Sequence, residues 1–226
     1  MELITGVERN RLIEACAHDA FHLELRDDYS VPDEDGPFES WLPDEPVDYA
    51  FMQPWTRMVK RLTGEGKAVR RVRVVSHPHT PYIRWEHRTT PRNLEAGEGI
   101  RWLPRHTVPG DLVFPFDGKD WWLIDDRLLA VGHTDARRVT GHEVIDDPEC
   151  IAEAVALRDA LWSLAIPHGE YRPGRPYCGP TVAEPTTRAA VPGREGGPHI
   201  CPDVTSENRP AGAHPVHKSP EISRDQ

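Results

Sequence analysis

The sequence predicts one α/β domain over residues 1–171, a mixed sheet flanked by helices, and a disordered tail over 172–226. Three observations carry that prediction. From residue 53 onward the pattern runs helix, strand, helix, strand, hairpin, strand, helix, which favours a mixed sheet covered by helices, with a segregated α+β arrangement as the alternative. All seven Trp and all five Phe fall before residue 172, enough for one core. The last 55 residues hold 10 Pro and 6 Gly, a composition that buries too little apolar surface to offset the cost of ordering the chain.

The elements follow in order. Thr5 and Glu8 form a T-x-x-E capping box that starts a helix near Gly6, with Leu12, Ile13, Cys16, Ala17 and Ala20 as its apolar stripe. Phe21, Leu23 and Leu25 alternate with His22, Glu24 and Arg26, the period of a strand. Residues 27–49 carry nine Asp/Glu and four Pro around Phe38, Trp41 and Leu42, and read as a long loop pinned by its aromatics. Pro54 suits the first turn of a second helix bearing Trp55, Met58, Val59 and Leu62, with Gly64 as its cap.

Ala68 to Ser76 is the clearest strand, with Val69, Val72, Val74 and Val75 among Arg70, Arg71 and Arg73. Its imperfect alternation fits a central strand covered on both faces. Thr80-Pro81 opens a helix with Tyr82, Ile83 and Trp85; Pro91 is expected to interrupt and restart it, and Gly97 and Gly99 to end it. Ile100 to Leu103 is a short strand, and Trp121 to Ile124 joins Leu128 to Val131 through a tight Asp125-Asp126-Arg127 turn. His142 to Ile145 reads as the last strand, and Asp147-Pro148 opens a final helix with Ile151, Ala154, Val155, Leu161, Trp162 and Ala165 on one side.

Charge narrows the function classes. Residues 1–171 hold 20 Lys+Arg against 31 Asp+Glu, and that acidic balance argues against direct nucleic-acid binding or an anionic membrane surface. Glu2 and a polar helix follow Met1 where a secretory leader would be basic and then apolar, and no apolar run nears the roughly 20 residues of a membrane span. The expected location is cytoplasmic, with Cys16, Cys150, Cys178 and Cys201 reduced.

No motif spells out a catalytic centre. The chain lacks a G-x-G-x-x-G turn, a phosphate loop and a G-x-S-x-G elbow, so no cofactor is expected. Without H-E-x-x-H or C-x-x-C spacing no metal is expected either, and Cys178, His199 and Cys201 of the tail lack ligand spacing. Among twelve histidines, His77, His79 and His133 are the candidate catalytic groups, because His77-Pro78-His79 follows the central strand where α/β folds place ligands. Exposed loop histidines are the plainer reading. Arg70, Arg71, Arg73, Arg84 and Arg88 form either a phosphate stripe or counter-charges for the many carboxylates, and the second reading is preferred.

The Trp121-Trp122 pair places one indole on each sheet face, so either both are covered by helices or one serves partner recognition. The candidate interaction surface is therefore Trp121, Trp122, Asp125, Asp126 and Arg127 of the hairpin, together with Trp41. Asp125 and Asp126 read first as turn residues and only second as cation ligands.

The stretch Phe116 to Arg127 (FDGKDWWLIDDR) resembles the signature of an uncharacterised actinobacterial family. Phe21 to Tyr29 (FHLELRDDY), Val69 to Tyr82 (VRRVRVVSHPHTPY) and Glu143 to Pro148 (EVIDDP) are similar to it in the same order, over roughly residues 10–171. Members of that family are commonly encoded beside small helix-turn-helix regulators, so the resemblance implies a regulatory or partner role and no reaction. The element order is also similar to half of a phospholipase-D-like fold, without its H-x-K signature. The expectation is a non-catalytic regulatory or interaction domain acting with a helix-turn-helix transcription regulator. The first alternative is an enzyme on nucleotides or phosphodiesters using His77, His79 or His133, and the second an antitoxin-like module whose acidic surface masks a basic partner.

Overall fold

Residue 73 lies in the middle of a sheet whose chain order decides where polar groups are buried. The computed structural model describes residues 2–41 and 46–174. Leu42 and the expected tail beyond residue 174, with Cys178, His199 and Cys201, lie outside the described residues. The elements are α1 (Gly6–Glu14), β1 (Asp19–Glu24), α2 (Pro32–Glu39), α3 (Gln53–Gly64), β2 (Ala68–Val75), α4 (Pro81–Glu95), β3 (Gly99–Pro104), β4 (Trp121–Ile124), β5 (Leu128–Asp135), β6 (Arg138–Ile145), α5 (Pro148–Leu164) and β7 (Ile166–Pro167). The strands form a mixed sheet of order β6-β5-β4-β1-β2-β3-β7. β1, β2 and β3 run parallel through helical crossovers, and β4, β5 and β6 form an antiparallel meander on the other side of β1.

Local chemistry accounts for the element ends. Thr5 Oγ1 accepts from the Glu8 N–H at 3.2 Å while Glu8 Oε2 accepts from the Thr5 N–H at 2.7 Å, the expected capping box. Asp147 Oδ1 likewise accepts from the Glu149 and Cys150 N–H groups at the start of α5. Asp125 and Asp126 both take positive φ, 53° and 52°, in the tight three-residue turn between Ile124 and Leu128, closed by the Arg127 N–H on the Ile124 carbonyl at 3.0 Å.

Three expectations are corrected. Residues 32–39, read as loop, form α2; Pro32 sits at its first turn and Asp35 accepts from Val31 N–H, so an acidic, proline-bearing segment still closes two turns. The left-handed residue after α3 is Gly66 (φ 83°), two positions beyond Gly64. Pro91 does not interrupt α4, whose buried Trp85, Thr89, Thr90 and Asn93 hold the helix continuous through it.

The two sheet faces differ. On one, α5 covers Phe21, Leu23, Val72, Val74, Trp121, Leu123, Leu129 and Val131, an apolar layer throughout. On the other, α1 and α3 cover Ala20, Val69, Trp122, Ile124 and Ala130, and α4 packs with Val75, Ile100, Trp102 and Tyr171. Between those apolar groups the second face carries His22, Glu24, Arg71 and Arg73, and a cavity opens there. Among the described residues, no helix is long and apolar enough to cross a membrane.

Candidate functional site

β2 alternates strictly once its neighbours are in place. Arg70 faces α5, where it pairs with Asp19 at 2.9 Å, and Arg71 and Arg73 face the opposite side. There Glu24 on β1 stands between them: Oε1 lies 2.5 Å from Arg71 and Oε2 2.6 Å from Arg73. Arg71 also meets Glu98 at 2.8 Å, and Arg73 pairs with Glu86 of α4. Glu98 has no exposed side-chain surface and accepts further bonds from Trp55 Nε1 and Asn93 Nδ2. The preferred reading as internal counter-charges describes all three of these arginines. Arg84 and Arg88 are exposed.

This cluster floors a cavity of about 560 Å³, within the range of small-molecule sites. Trp122, Gly132 and His142 continue the floor, and α1, α2, α3 and α4 supply Arg9, Glu34, Met58 and Tyr82 among the walls. His22 stacks on Trp122 with ring centroids 4.1 Å apart and sits 3.3 Å from Glu24. The Tyr82 hydroxyl lies 2.9 Å from Glu34 and 3.1 Å from Glu86. Asp120 accepts from the Leu25 N–H and the Tyr29 hydroxyl, both at 2.7 Å.

Burial and neighbouring charge spread the protonation behaviour of these groups widely. Burial pushes the Glu34 carboxyl up to about 8, with Glu86 adding repulsion. Burial also raises Asp120 to about 6 against the bonds from Leu25 and Tyr29, and it raises Glu86 against the pull of Arg73. For Glu24 burial acts upward too, but Arg71 and Arg73 outweigh it and hold the carboxyl well below its usual range. Burial lowers His22 to about 3 despite Glu24, and lowers His142 to about 4 with Arg9 adding to the effect. Perturbed acids and bases gathered in one cleft make this cavity the candidate functional site.

The candidate histidines divide. His77 and His79 come together, with ring centroids 4.4 Å apart, and both reach the hydroxyl of buried Tyr171, at 3.2 and 2.6 Å. His106 stands edge-on to His77, and His87 stacks on His168 at 4.5 Å nearby. His133 does not join them. It lies on β5, bound to Glu143 at 2.9 Å, three strand spacings from β2, or about 14 Å at roughly 4.8 Å each. The shared pocket required for a catalytic His77/His79/His133 set is therefore not formed.

The expected interaction surface is also corrected. Trp121 and Trp122 are 1% and 2% exposed, because each sheet face is covered and both indoles belong to the core. Asp125 turns inward and accepts from the backbone N–H groups of Ala17, His18 and Asp19 at 2.7, 2.7 and 3.1 Å. Asp126 pairs with Arg158 of α5. Arg127 remains at the exposed tip, and Trp41 packs partly buried against the cluster around Trp85. Among the described residues no group of three or more His, Cys, Asp or Glu side chains is arranged to hold a metal ion.

The cavity residues were missed because the polar face of β1 reads as a solvent face. His22, Glu24 and Arg26 alternate with Phe21, Leu23 and Leu25, but four helices cover that side. The available signal was the pairing of His-x-Glu-x-Arg in one strand with Arg-x-Arg in another, two polar faces too charged to be covered without each other.

No curated protein matches the chain. The blocks with the F-D-G-x-D-W-W-L resemblance fall on β1, β2, the β4–β5 hairpin and the start of α5, the elements that build the sheet and its cavity floor. A family model described as a domain of unknown function, DUF6879, matches residues 7–173, and the chain belongs to that family.

Proposed function

We propose that this domain is a non-catalytic regulatory module that binds a small polar ligand in the cavity and acts on a helix-turn-helix transcription regulator. The cavity carries the reading: about 560 Å³ enclosed between one sheet face and four helices, floored by charged groups. A fold that needed only stability would fill this space with apolar side chains, since buried ion pairs rarely repay their desolvation. Keeping Glu24, Arg71, Arg73 and Glu86 there, with Glu98 buried behind Arg71, preserves a polar, pre-organised wall. Glu24, held well below its usual carboxylate range, is committed to two arginines, which suits recognition better than turnover. The regulator as partner follows from the family resemblance, and Arg127 with the region of Trp41 are the parts of the expected surface left to meet it.

Co-expression of the full chain with a helix-turn-helix regulator of the kind encoded beside members of the family it resembles, followed by size-exclusion chromatography, tests the partner. Co-elution at micromolar concentration, weakened by Arg127→Glu, is the expected result; separate elution contradicts it.

One observation favours a second reading, an enzyme. Glu34 at about 8 and Asp120 at about 6 bracket neutral pH inside the cavity, as a general acid and base would. Turnover abolished by Glu34→Gln or Asp120→Asn establishes that reading in place of the first.

A further inference from the structure

Five arginines border the cavity: Arg9, Arg11, Arg26, Arg71 and Arg73. Arg11 is exposed, and Arg71 and Arg73 are matched by carboxylates. Arg9 and Arg26 are half-buried, and among the described residues neither has a carboxylate within ion-pair distance. Arg9 is held by neutral groups: Asn10 Oδ1 at 2.7 and 3.1 Å, His142 Nε2 at 3.2 Å, and the Trp122 ring at 5.7 Å. Arg26 donates to Thr134 Oγ1 at 3.0 Å and to the Ala136 carbonyl. Asp120, the acid beside it, instead accepts from Leu25 and Tyr29.

Two half-buried guanidiniums held in place by neutral partners carry a desolvation cost that no ion pair among the described residues meets, and at Arg9 the pull of Glu24 does not outweigh it. Burial and repulsion from Arg71 lower the Arg9 guanidinium to about 10, the direction expected of a cation short of a counter-charge. Their anchors lie on one surface. His142 of β6 pairs with Gly132 of β5, and Thr134 follows Gly132 two residues along β5, about 7 Å from it at a rise of roughly 3.4 Å per residue. Both guanidiniums line the same cavity, and an anion with two or more oxygens accepts charge-assisted contacts of about 2.8 Å from more than one arginine. His142 is 5% and Trp122 2% exposed, and each has a ring N–H or nitrogen without a hydrogen-bond partner among the described residues.

We propose that the Arg9–Arg26 side of the cavity holds the anionic group, a carboxylate or a phosphate, of a small organic ligand; this rests on the reading of the cavity as a ligand site. The rest of the ligand then lies toward Trp55, Met58 and Tyr82, where aromatic and apolar groups adjoin Glu34. Arginine suits this role better than lysine because its planar fork meets two oxygens at once.

The test is calorimetric titration of the full chain with inorganic phosphate and, separately, with acetate. Four variants are compared: Arg9→Gln, Arg9→Lys, Arg26→Gln and the cavity-filling Gly132→Val. Exposed Arg84→Gln serves as the control, and circular dichroism verifies each fold. The expected result is binding of at least one anion, weakened at least tenfold by Arg9→Gln and by Arg26→Gln, partly kept in Arg9→Lys, and unchanged in Arg84→Gln. The stronger of phosphate and acetate identifies the group. Binding lost in Gly132→Val but untouched by both glutamine variants overturns the anion assignment and leaves the cavity reading standing. Binding unchanged in every variant, or absent from the wild-type chain for both anions, overturns the assignment.

Discussion

Glu24 of β1 and Arg73 of β2 are register partners in the sheet, and their side chains meet at 2.6 Å on the face that floors the cavity. Arg71, two residues earlier, meets the other oxygen of the same carboxylate. One acid therefore holds two buried guanidiniums. Glu24→Gln leaves both cations short of charge, and a loss of about 3–5 kcal/mol is expected in urea denaturation at neutral pH. A loss below ~1 kcal/mol would mean that Glu86 and Glu98 hold the arginines without it.

Glu34 gives a pH dependence of opposite sign to that of a surface acid. Its folded value lies above its unfolded one, so its contribution is fully present below about 4.5 and is lost as pH rises through about 8. Glu34→Gln removes that loss. The variant is expected to match wild type near pH 4 and to exceed it at pH 8.5 by at least ~1 kcal/mol. Equal stability of the two chains at pH 8.5 would show that the carboxyl is already ionised there.

The histidines act in the other direction. Burial lowers His79, His87 and His142 to about 4 and His22 to about 3, with neighbouring cations or imidazoles adding to the first three and Glu24 opposing at His22. Folded values below the unfolded value of about 6.5 mean stability present above pH 6.5 and lost as pH falls through about 4. Acid unfolding is thus expected to begin near pH 6. His87→Gln, which removes one of two stacked imidazoles beside His168, is expected to flatten that limb between pH 6.5 and 4.5. An unchanged slope in chemical denaturation at those two pH values would contradict this.

The hairpin tip clamps the structure from within. Asp125 accepts from three backbone N–H groups after α1 and adopts a positive φ that Asp, Asn and Gly tolerate best. Asp125→Ala is expected to cost about 2 kcal/mol, from unsatisfied donors and backbone strain. Arg127→Ala, at the exposed tip, is expected to stay within about 0.5 kcal/mol of wild type. Thermal denaturation of the two variants side by side checks the contrast.

Much of this architecture is legible in the sequence. β-branched residues mark β2, the T-x-x-E box marks α1 and Asp147-Pro148 marks α5, because each depends on neighbours within a few positions. α2 was hidden by its acids and prolines, although Phe38 and Trp41 do pin that segment, as expected, against Tyr82 and Trp85. The cavity was hidden for a different reason. Glu24 meets Arg71 across 47 residues and Arg71 meets Glu98 across 27, so the floor exists only after the sheet order is known. The same order separates His133 from His77 and His79, which proximity in composition alone could not tell.

The cavity over Glu24 and Arg73 is proposed to receive a small polar molecule. Gly132 lines it, and a Cβ added there meets only the Asp120 carbonyl, at 3.4 Å, an ordinary contact, so Gly132→Val is the variant chosen to fill the space. The direct measurement is a thermal-shift screen of the full chain against a library of polar metabolites, run in parallel on wild type and Gly132→Val. Compounds that raise the Tm of the wild type and leave the variant unmoved are the expected result. A library that shifts neither chain, or shifts both alike, would contradict it.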